Sequence, residues 1–563
     1  MPQQSPFTIS IPSTNILSYV FPSKSPASNE PLYISASNPT TFLSPAQLLQ
    51  QIKRVGHTLT TTLSIPTQSV ALVISYNSLS VPVFYLGIAG SGRIFSGVNP
   101  AYGVKEITWQ IKDTQAKVIF VEKDLLSRTL EACKEVGFPR EKVFLVSDVE
   151  GHGNGSEEEG SNGVKDWTTL LKGQEKEADK WEWPHMSEED AKTNTAVLNY
   201  SSGTTGLPKG VMITHTNVIA NVAQSLYMRE LSHSTPKHQR DPEHWLGFLP
   251  LYHAYGQLWS IVAAAKTLTP TYFMRQFSFP DFLANIERHR ISHIQTAPPV
   301  LVMLAKRPET EKYDLSSLCN ILCGAAPLSK ELQNEVSDRF GLKVVQTWGM
   351  TEVTCSSLHV PGGLDERSGS VGYIDPNCSI KLVDDSGEEV GEGERGEILV
   401  KGPNICLGYW RNEKATKETF DEEGYLRTGD VAVRDQKGWY WIVDRKKELI
   451  KVKGYQVPPA ELEAALLENE AVADAAVVGL QMEHEERPRA YVALKDEAKG
   501  KISEKDIEEW MAQRVAKHKR LTGGVAFVEE VPKSPSGKIQ RKIMKEWALE
   551  DAKKMKEGPK AKL

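Results

Sequence analysis

Only six cysteines, Cys133, Cys319, Cys323, Cys355, Cys378 and Cys406, are scattered over the 563 residues, and none belongs to a paired C-x-x-C arrangement. That argues against a disulfide framework or a zinc site, and buried thiols in a reducing compartment are expected. Long apolar runs are missing too. The most apolar stretch, VPVFYLGIAGSGRIFSGV, is broken by glycines, serines and an arginine, so neither a secretory leader nor a membrane span is expected. Basic charge is not in excess: 66 Lys+Arg face 72 Asp+Glu, a formal net charge of -6. Nucleic acid and anionic membrane therefore have no global electrostatic case as main partners, and any phosphate recognition must be local.

What the chain does contain is enough material for two or more domains, with no apparent internal repeat. Apolar runs such as AKVIFV, TAVLNY, LKVVQTW and VADAAVVGL alternate with helical patterns, as α/β layers require. From about residue 445, helical patterns around Leu462, Ala465 and Leu466 and around Ile507, Trp510, Met511 and Val515 are interleaved with DAAVVGL, RAYVAL and VAFVEEVP. A compact α+β unit of about a hundred residues is predicted there, the second of its helices opened by a Ser503/Asp506 capping box. The polar, glycine-rich and charged stretch 150–185 reads as a mobile surface insertion.

The run YSSGTTGLPKGVMITHTN, 200–217, packs glycines, hydroxyls and one lysine tightly together. Glycines permit close backbone approach, and Ser201, Ser202, Thr204 and Thr205 add donors beside their own N–H groups, a surface suited to an anion. It is not a Walker A loop, because Pro208 breaks the pattern and Lys209 is followed by glycine. The loop is expected to link the buried strand TAVLNY to a helix that Asn217 caps and whose face carries Val218, Ile219, Val222 and Leu226.

Four further motifs follow in order: QTWGMTE (346–352), YLRTGD (425–430), DRKKELIKVKGYQVPPAELE (444–463) and KSPSGKIQRK (533–542). Together with SSGTTGLPKG they resemble the signatures of the adenylate-forming (AMP-binding) superfamily, and most nearly the 4-coumarate:CoA ligase-like group with its peroxisomal members. The resemblance implies an α/β architecture: a large multi-subdomain N-terminal adenylation domain over 1–444, a hinge over 445–447 with Lys447 at its pivot, and a small mobile α+β domain over 448–563. It also implies an ATP-dependent carboxylic acid:CoA ligase that forms an acyl-adenylate with release of pyrophosphate and then passes the acyl group to CoA. Luciferase-like oxidation of the adenylate, a carrier-independent adenylating enzyme, and a non-catalytic adenylate-binding protein are the alternatives.

Carried over residue by residue, the resemblance assigns Ser201, Ser202, Gly203, Thr204, Thr205, Gly206 and Lys209 to the β- and γ-phosphates. Thr351 and Glu352 go to the α-phosphate and Mg²⁺, with Gln346, Trp348 and Gly349 beside the nucleotide. Asp430 is assigned to the ribose with Arg445 assisting, and Lys538 bridges carboxylate and α-phosphate. Lys451 and Gln456 serve the adenylation step, Lys453 and Gly454 the pantetheine channel, and Arg275 the phosphate end of CoA. His253, Tyr255, Trp259, Gly324, Ala325 and Thr347 line the acyl pocket; Trp259 either reshapes it or packs in the core. Gly349 leaves open a place that acetate-specific relatives fill, which implies a larger acid, of aryl or medium-chain type. The last three residues, Ala561-Lys562-Leu563, resemble a peroxisomal address of Ser-Lys-Leu type, which would make an import receptor a partner.

Overall fold

The protein is described here as a computed structural model. It describes residues 2–23, 28–146, 163–201, 208–234, 241–452, 455–482, 486–534 and 538–557. Ser202, Gly203, Thr204, Thr205, Gly206, Lys453, Gly454 and the tripeptide at 561–563 lie outside the described residues.

Three sheets build the larger part. The first has seven strands in the order Gly408–Tyr409, Lys209–Thr214, Thr195–Ser201, Ile94–Val98, Val70–Ile74, Val118–Val121, Val143–Leu145. Its central pairs are parallel and buried on both faces, which is why VALVI, IFSGV and VIFV are nearly all apolar instead of alternating. The second has nine strands and runs from Tyr373–Ile374 through Leu358–His359, Lys343–Trp348, Asn320–Cys323 and His293–Thr296 to Trp245–Gly247 and beyond. The third is a five-stranded antiparallel sheet that ends in the hairpin Leu426–Arg434 with Tyr440–Arg445.

After Arg445 a turn over 446–448 leads to the ribbon Ile450–Val452/Tyr455–Val457, then to a three-stranded sheet, Val472–Gln481, Glu486–Leu494 and Val525–Phe527. Three helices cover that sheet. Pro459–Leu467 starts on proline, Glu504–Ala512 has the expected Ser503/Asp506 box, and Arg541–Glu557 follows the last motif. Leu462, Leu466, Ile507 and Met511 are buried between helices and sheet, so this part has its own core.

Three expectations change. The helix after the glycine loop spans His215–Glu230; Thr214 is its N-cap, and Asn217 is the third helical residue, closing a reciprocal box with Thr214. The loop itself joins two antiparallel strands, Thr195–Ser201 and Lys209–Thr214, not a strand to a helix, because KGVMIT pairs back before the helix begins. Finally, 163–185 is folded, whereas residues up to 162 of that stretch fall outside the description. Trp167 packs edge-on against Phe84, Trp183 is buried and donates to Ser18 Oγ at 2.9 Å, and Asp179 pairs with Arg54 at 2.8 Å. The apolar tryptophans, not the surrounding charges, decide that segment.

Candidate active site

The hairpin places Ser201 directly opposite Lys209, on either side of the phosphate-loop candidates in the chain. Ser201 Oγ donates to Glu352 Oε1 at 3.2 Å, and Tyr409 Oη donates to the same oxygen at 2.9 Å. Lys209 Nζ stands 4.8 Å from the centroid of the Tyr409 ring. Burial, reinforced by the Glu352 charge, holds the Tyr409 phenol well above its ordinary range, so it remains a donor. Tyr409 escaped the motif reading. Its only signal is the Gly-Tyr-Trp triplet at 408–410, whose strand joins the hairpin edge-on.

Glu352 is 5% exposed, and an unusual backbone holds it there. The strand Lys343–Trp348 ends, a single turn Thr351–Val353 follows, and Thr354 takes φ 69°, ψ −50° with Cys355 N–H donating to Val353 O at 2.8 Å. That is a tight three-residue turn of the strained hand, which persists only where its surroundings over-determine it. Asn404 supplies the constraint. Its Nδ2 faces Val353 O, Ser356 O and Ser357 Oγ at 3.1, 2.9 and 2.9 Å, while its backbone carbonyl accepts from Thr354 Oγ1 at 2.7 Å. Cys406 N–H then donates to Glu352 O at 2.9 Å.

Gly349 corrects an expectation. A Cβ there would collide with the carbonyl of Cys355 and the Cα of Ser356, so the position holds no spare pocket volume. Glycine is required because the chain folds back onto it.

On the opposite side Asp430, 6% exposed, accepts from Trp348 Nε1 at 2.9 Å through one oxygen and from Arg445 Nε at 3.2 Å through the other. Arg445 itself is exposed. Gln346 turns to the scaffold: its amide donates to Leu328 O at 3.1 Å and Gln333 Oε1 at 2.7 Å, so those hydrogens are committed within the protein.

From the small α+β part, Ser534 and Lys538 stand side by side, and Lys538 is buried on the side of this cleft. The pair is held by Ser534 N–H donating to Lys538 O at 2.8 Å and Lys538 N–H donating to Ser534 Oγ at 3.1 Å. It is anchored by Lys533 on Asp474 at 2.6 Å and by Arg541 on Glu463 at 2.5 Å. Burial in the cleft pushes the Lys538 ammonium below its usual range; Arg445 adds to that push, and Asp430 and Glu352 oppose it. Lys538 and His253 keep some accessible surface because they line a cleft, yet both sit deep in the molecule. His253 is lowered to about 3 by burial, with the Lys538 charge adding to it, so it is a neutral ring at ordinary pH. Its Nδ1 accepts the Tyr255 N–H at 3.5 Å, which assigns the proton to Nε2.

Tyr255 is buried with its hydroxyl donating to Leu322 O at 2.8 Å. An added Cβ on Gly324 would lie 3.0 Å from Thr347 Cγ2 and 3.5 Å from the Tyr255 ring, so these three residues form one close wall. Ala325 follows at φ 71°, a left-handed conformation unusual for a residue with a Cβ. Trp259 is 1% exposed and packs edge-on against Trp245 with centroids 5.8 Å apart, the core-packing alternative. Lys451 and Gln456 face each other across the two-stranded ribbon and are exposed. Arg275 is bound up with Glu122 and, at 2.7 Å, Asp124, and stacks 4.7 Å over Tyr76. Its charge is neutralised locally, against the expectation of a free phosphate contact.

Comparison with known proteins matches this geometry to a family. The family model described as AMP-binding enzyme matches residues 24–410, and the model for the AMP-binding enzyme C-terminal domain matches 461–538. The acyl-CoA synthetase ACTT5 of Alternaria alternata is 37% identical over 84% of this chain and 80% of its own length. A probable 4-coumarate–CoA ligase 1 of Dictyostelium discoideum is 38% identical over 83% of both chains, and the phenylacetyl-CoA ligase epaB of Aspergillus niger 31% identical over 96% and 98%. Among solved structures, the anthranilate CoA ligase AuaEII in complex with anthranoyl-AMP superposes with TM-score 0.83 at 23% identity, covering 97% of this chain and 99% of that one. ATP-bound MatB from Rhodopseudomonas palustris gives 0.80 at 24% identity, over 96% and 99%. The large body and the smaller body after it thus follow a fold shared with those structures, and the chain belongs to the AMP-binding enzyme family.

Proposed function

We propose that the protein joins a carboxylic acid to CoA in two steps at the expense of ATP. In the first, a carboxylate oxygen attacks the α-phosphorus of ATP, the bond to the β-phosphate oxygen breaks, and pyrophosphate leaves. In the second, the CoA sulfur attacks the acyl carbon, AMP leaves with the oxygen it received, and the thiol proton is lost. The observation that carries this reading is that Lys538 of the small domain is buried where the charges of Arg445, Asp430 and Glu352 act on it and where its own charge acts on His253.

The first step brings two anions together, so it needs fixed positive charge and donors where charge builds up. Lys538 supplies an ammonium between the carboxylate side, marked by His253, and the sugar-phosphate side, marked by Asp430. Neutral His253, with its Nε2–H, orients a carboxylate oxygen without adding a second cation that would hold it too tightly. Lys209 and Ser201 flank the loop that takes the leaving phosphates. Glu352, one buried carboxylate among hydroxyls, suits magnesium, an ion that keeps several waters and takes phosphate oxygens as its other ligands. When bound, that ion neutralises phosphate charge.

Lys538 belongs to the small domain, and the second step requires room for a thiol where Lys538 now sits. The turn at 446–448 carries the rotation that withdraws it and presents the Lys451/Gln456 ribbon. The Tyr255–Gly324–Thr347 wall, apolar and close-packed, favours an aryl or medium-chain acid. The test is incubation of purified protein with ATP, Mg²⁺, CoA and a panel of aryl, aryl-acetic and aliphatic acids, following pyrophosphate and acyl-CoA mass together. Acyl-CoA and AMP in equal amounts are expected; pyrophosphate without thioester would overturn CoA as the acceptor.

A further inference from the structure

One buried carboxylate lies just before the turn at 446–448 and takes no part in the chemistry above. Asp444 stands on the last strand of the third sheet, Tyr440–Arg445, and is 3% exposed. One of its oxygens accepts the N–H of its neighbour Arg445 at 2.7 Å, and the other accepts Ala460 N–H at 3.0 Å. Ala460 is the second residue of the helix Pro459–Leu467, whose own cap position is Pro458 and offers no side-chain acceptor. The large body therefore supplies, from across the turn, the acceptor that this helix start lacks.

The other groups that face Asp444 also come from the small domain. Arg541 and Glu463 act on it with opposite sign. Arg541 is already engaged by both Glu463 oxygens, at 2.5 and 2.9 Å, and by Val477 O at 2.8 Å, while Glu448, which also bears on Arg541, is paired with Lys545 at 2.8 Å. The cations next to Asp444 in the chain are turned elsewhere: Arg445 to Asp430 at 3.2 Å, and Lys446 to Asp385 and Glu397 at 2.8 and 3.2 Å. Asp444 is thus left with two backbone donors and a shared arginine. Burial outweighs them and raises its carboxyl to about 6.

We infer that Asp444 is a positioning residue that sets the balance between the two arrangements of the small domain: docking for the first step buries its charge, and the return of that charge to water drives the release needed for the second. The inference rests on the two-step ligase reading with rotation at 446–448. Ala460, Arg541 and Glu463 all belong to the part that must move, so the rotation uncovers Asp444. A catalyst that needs both arrangements in every turnover works best when neither is strongly favoured, and a carboxylate buried at some cost offsets the contacts that favour docking. The docked form takes up a proton below about 6, the released form only below about 3.9, so docking strengthens as pH falls. Between about pH 7.5 and 5.5 the docking equilibrium changes by about fourfold.

The test is Asp444→Asn in the full chain, which removes the charge and keeps an oxygen for Ala460 N–H. Two single-turnover rates are measured with the acid of the panel above that turns over fastest: pyrophosphate release from ATP and acid, and acyl-CoA formation from its preformed adenylate. At about pH 7.5 the variant is expected to slow thiolation by about fivefold or more and to change adenylation by less than about twofold, because it stays docked. In the unaltered protein the ratio of thiolation to adenylation should rise between about pH 5.5 and 7.5 by about fourfold more than in the variant; ionisation of the CoA thiol acts on both alike and drops out. Folding is checked by the unfolding midpoint, and Asp444→Ser, a neutral residue that also caps helices, decides alone if the asparagine variant does not fold. Slower adenylation with unchanged thiolation would show that the charge holds the small domain in place, and overturns the inference. Equal changes in both steps, or the same pH dependence in both proteins, overturn it too, while leaving the ligase reading intact. Absence of thioester from every acid with the unaltered protein overturns the ligase reading beneath it.

Discussion

Replacing Lys538 with alanine removes the cation that the small domain carries into the cleft, and the size of the effect can be worked from its surroundings. Two unit charges about 3 Å apart at an effective dielectric near 20 attract by about 5 kcal/mol. Lys538 already bears a desolvation cost there, with Arg445 adding to it and Asp430 and Glu352 opposing it, so only part of that attraction is net. About 3 to 4 kcal/mol of transition-state stabilisation is a reasonable remainder, or roughly a 100- to 1,000-fold loss in the adenylation rate. Thiolation proceeds after Lys538 has withdrawn and should change by less than about fivefold. The assay is single-turnover pyrophosphate release from ATP and acid, set beside acyl-CoA formation from preformed acyl-adenylate and CoA. Equal damage to both half-reactions would refute the assigned role of Lys538, and an undamaged adenylation step would refute it more directly.

Three other perturbations follow from the geometry. Gly349→Ala forces the Cys355 carbonyl away, so activity should fall by about tenfold or more on small and large acids alike; selective retention of the smallest acids would restore the open-pocket reading. Asn404→Ala removes four buried contacts, three made by Nδ2 and one that Oδ1 accepts from Cys378 Sγ, whose partners in part keep other bonds, a loss of about 2 to 4 kcal/mol in denaturant unfolding of the large body, accompanied by lower activity through the Glu352 turn; a change under about 0.5 kcal/mol would show that the strained turn holds itself. His215, fully buried and accepting the Ile16 N–H at 3.1 Å, is lowered to about 4 from 6.5. The unfolded chain binds that proton below about 6.5 and the folded chain only below about 4, so stability falls as pH drops through that window, by about 3 kcal/mol for this group. His215→Asn keeps an acceptor and should flatten that part of the stability–pH profile; an unchanged slope would place the acid sensitivity elsewhere.

The ligase motifs were legible because each is a local string: a glycine-rich loop, a Thr-Glu pair, an Asp-Arg boundary and a Gly-Lys turn. Their coming together was not, since Lys538 enters the field of Glu352 and Asp430 only through domain packing, and the string carries no distances. The phosphate loop shows the limit well. Glycines and hydroxyls identified it, but the flanking KGVMIT alternates little and its antiparallel return was hidden beneath a strong helix pattern that begins at His215. Tyr409 and Asn404 were missed for the same reason, being single residues whose value comes from partners more than fifty positions away or across a strained turn. Trp167 and Trp183 were outvoted by the charges around them, although two large apolar side chains suffice to pin a segment. Gly349 was legible as important and misread in cause, because close approach by another backbone looks, in sequence, the same as an empty pocket.

The central claim is that the acid is activated by attack of its own oxygen on the α-phosphorus. An acid carrying heavy oxygen in both carboxylate positions, turned over to completion with ATP and CoA, tests it at the bond in question. Mass analysis of the nucleotide is expected to find one heavy oxygen in the phosphate of AMP and none in pyrophosphate. Heavy oxygen in pyrophosphate or in inorganic phosphate, with unlabelled AMP, would contradict adenylation and with it the role given to Lys538.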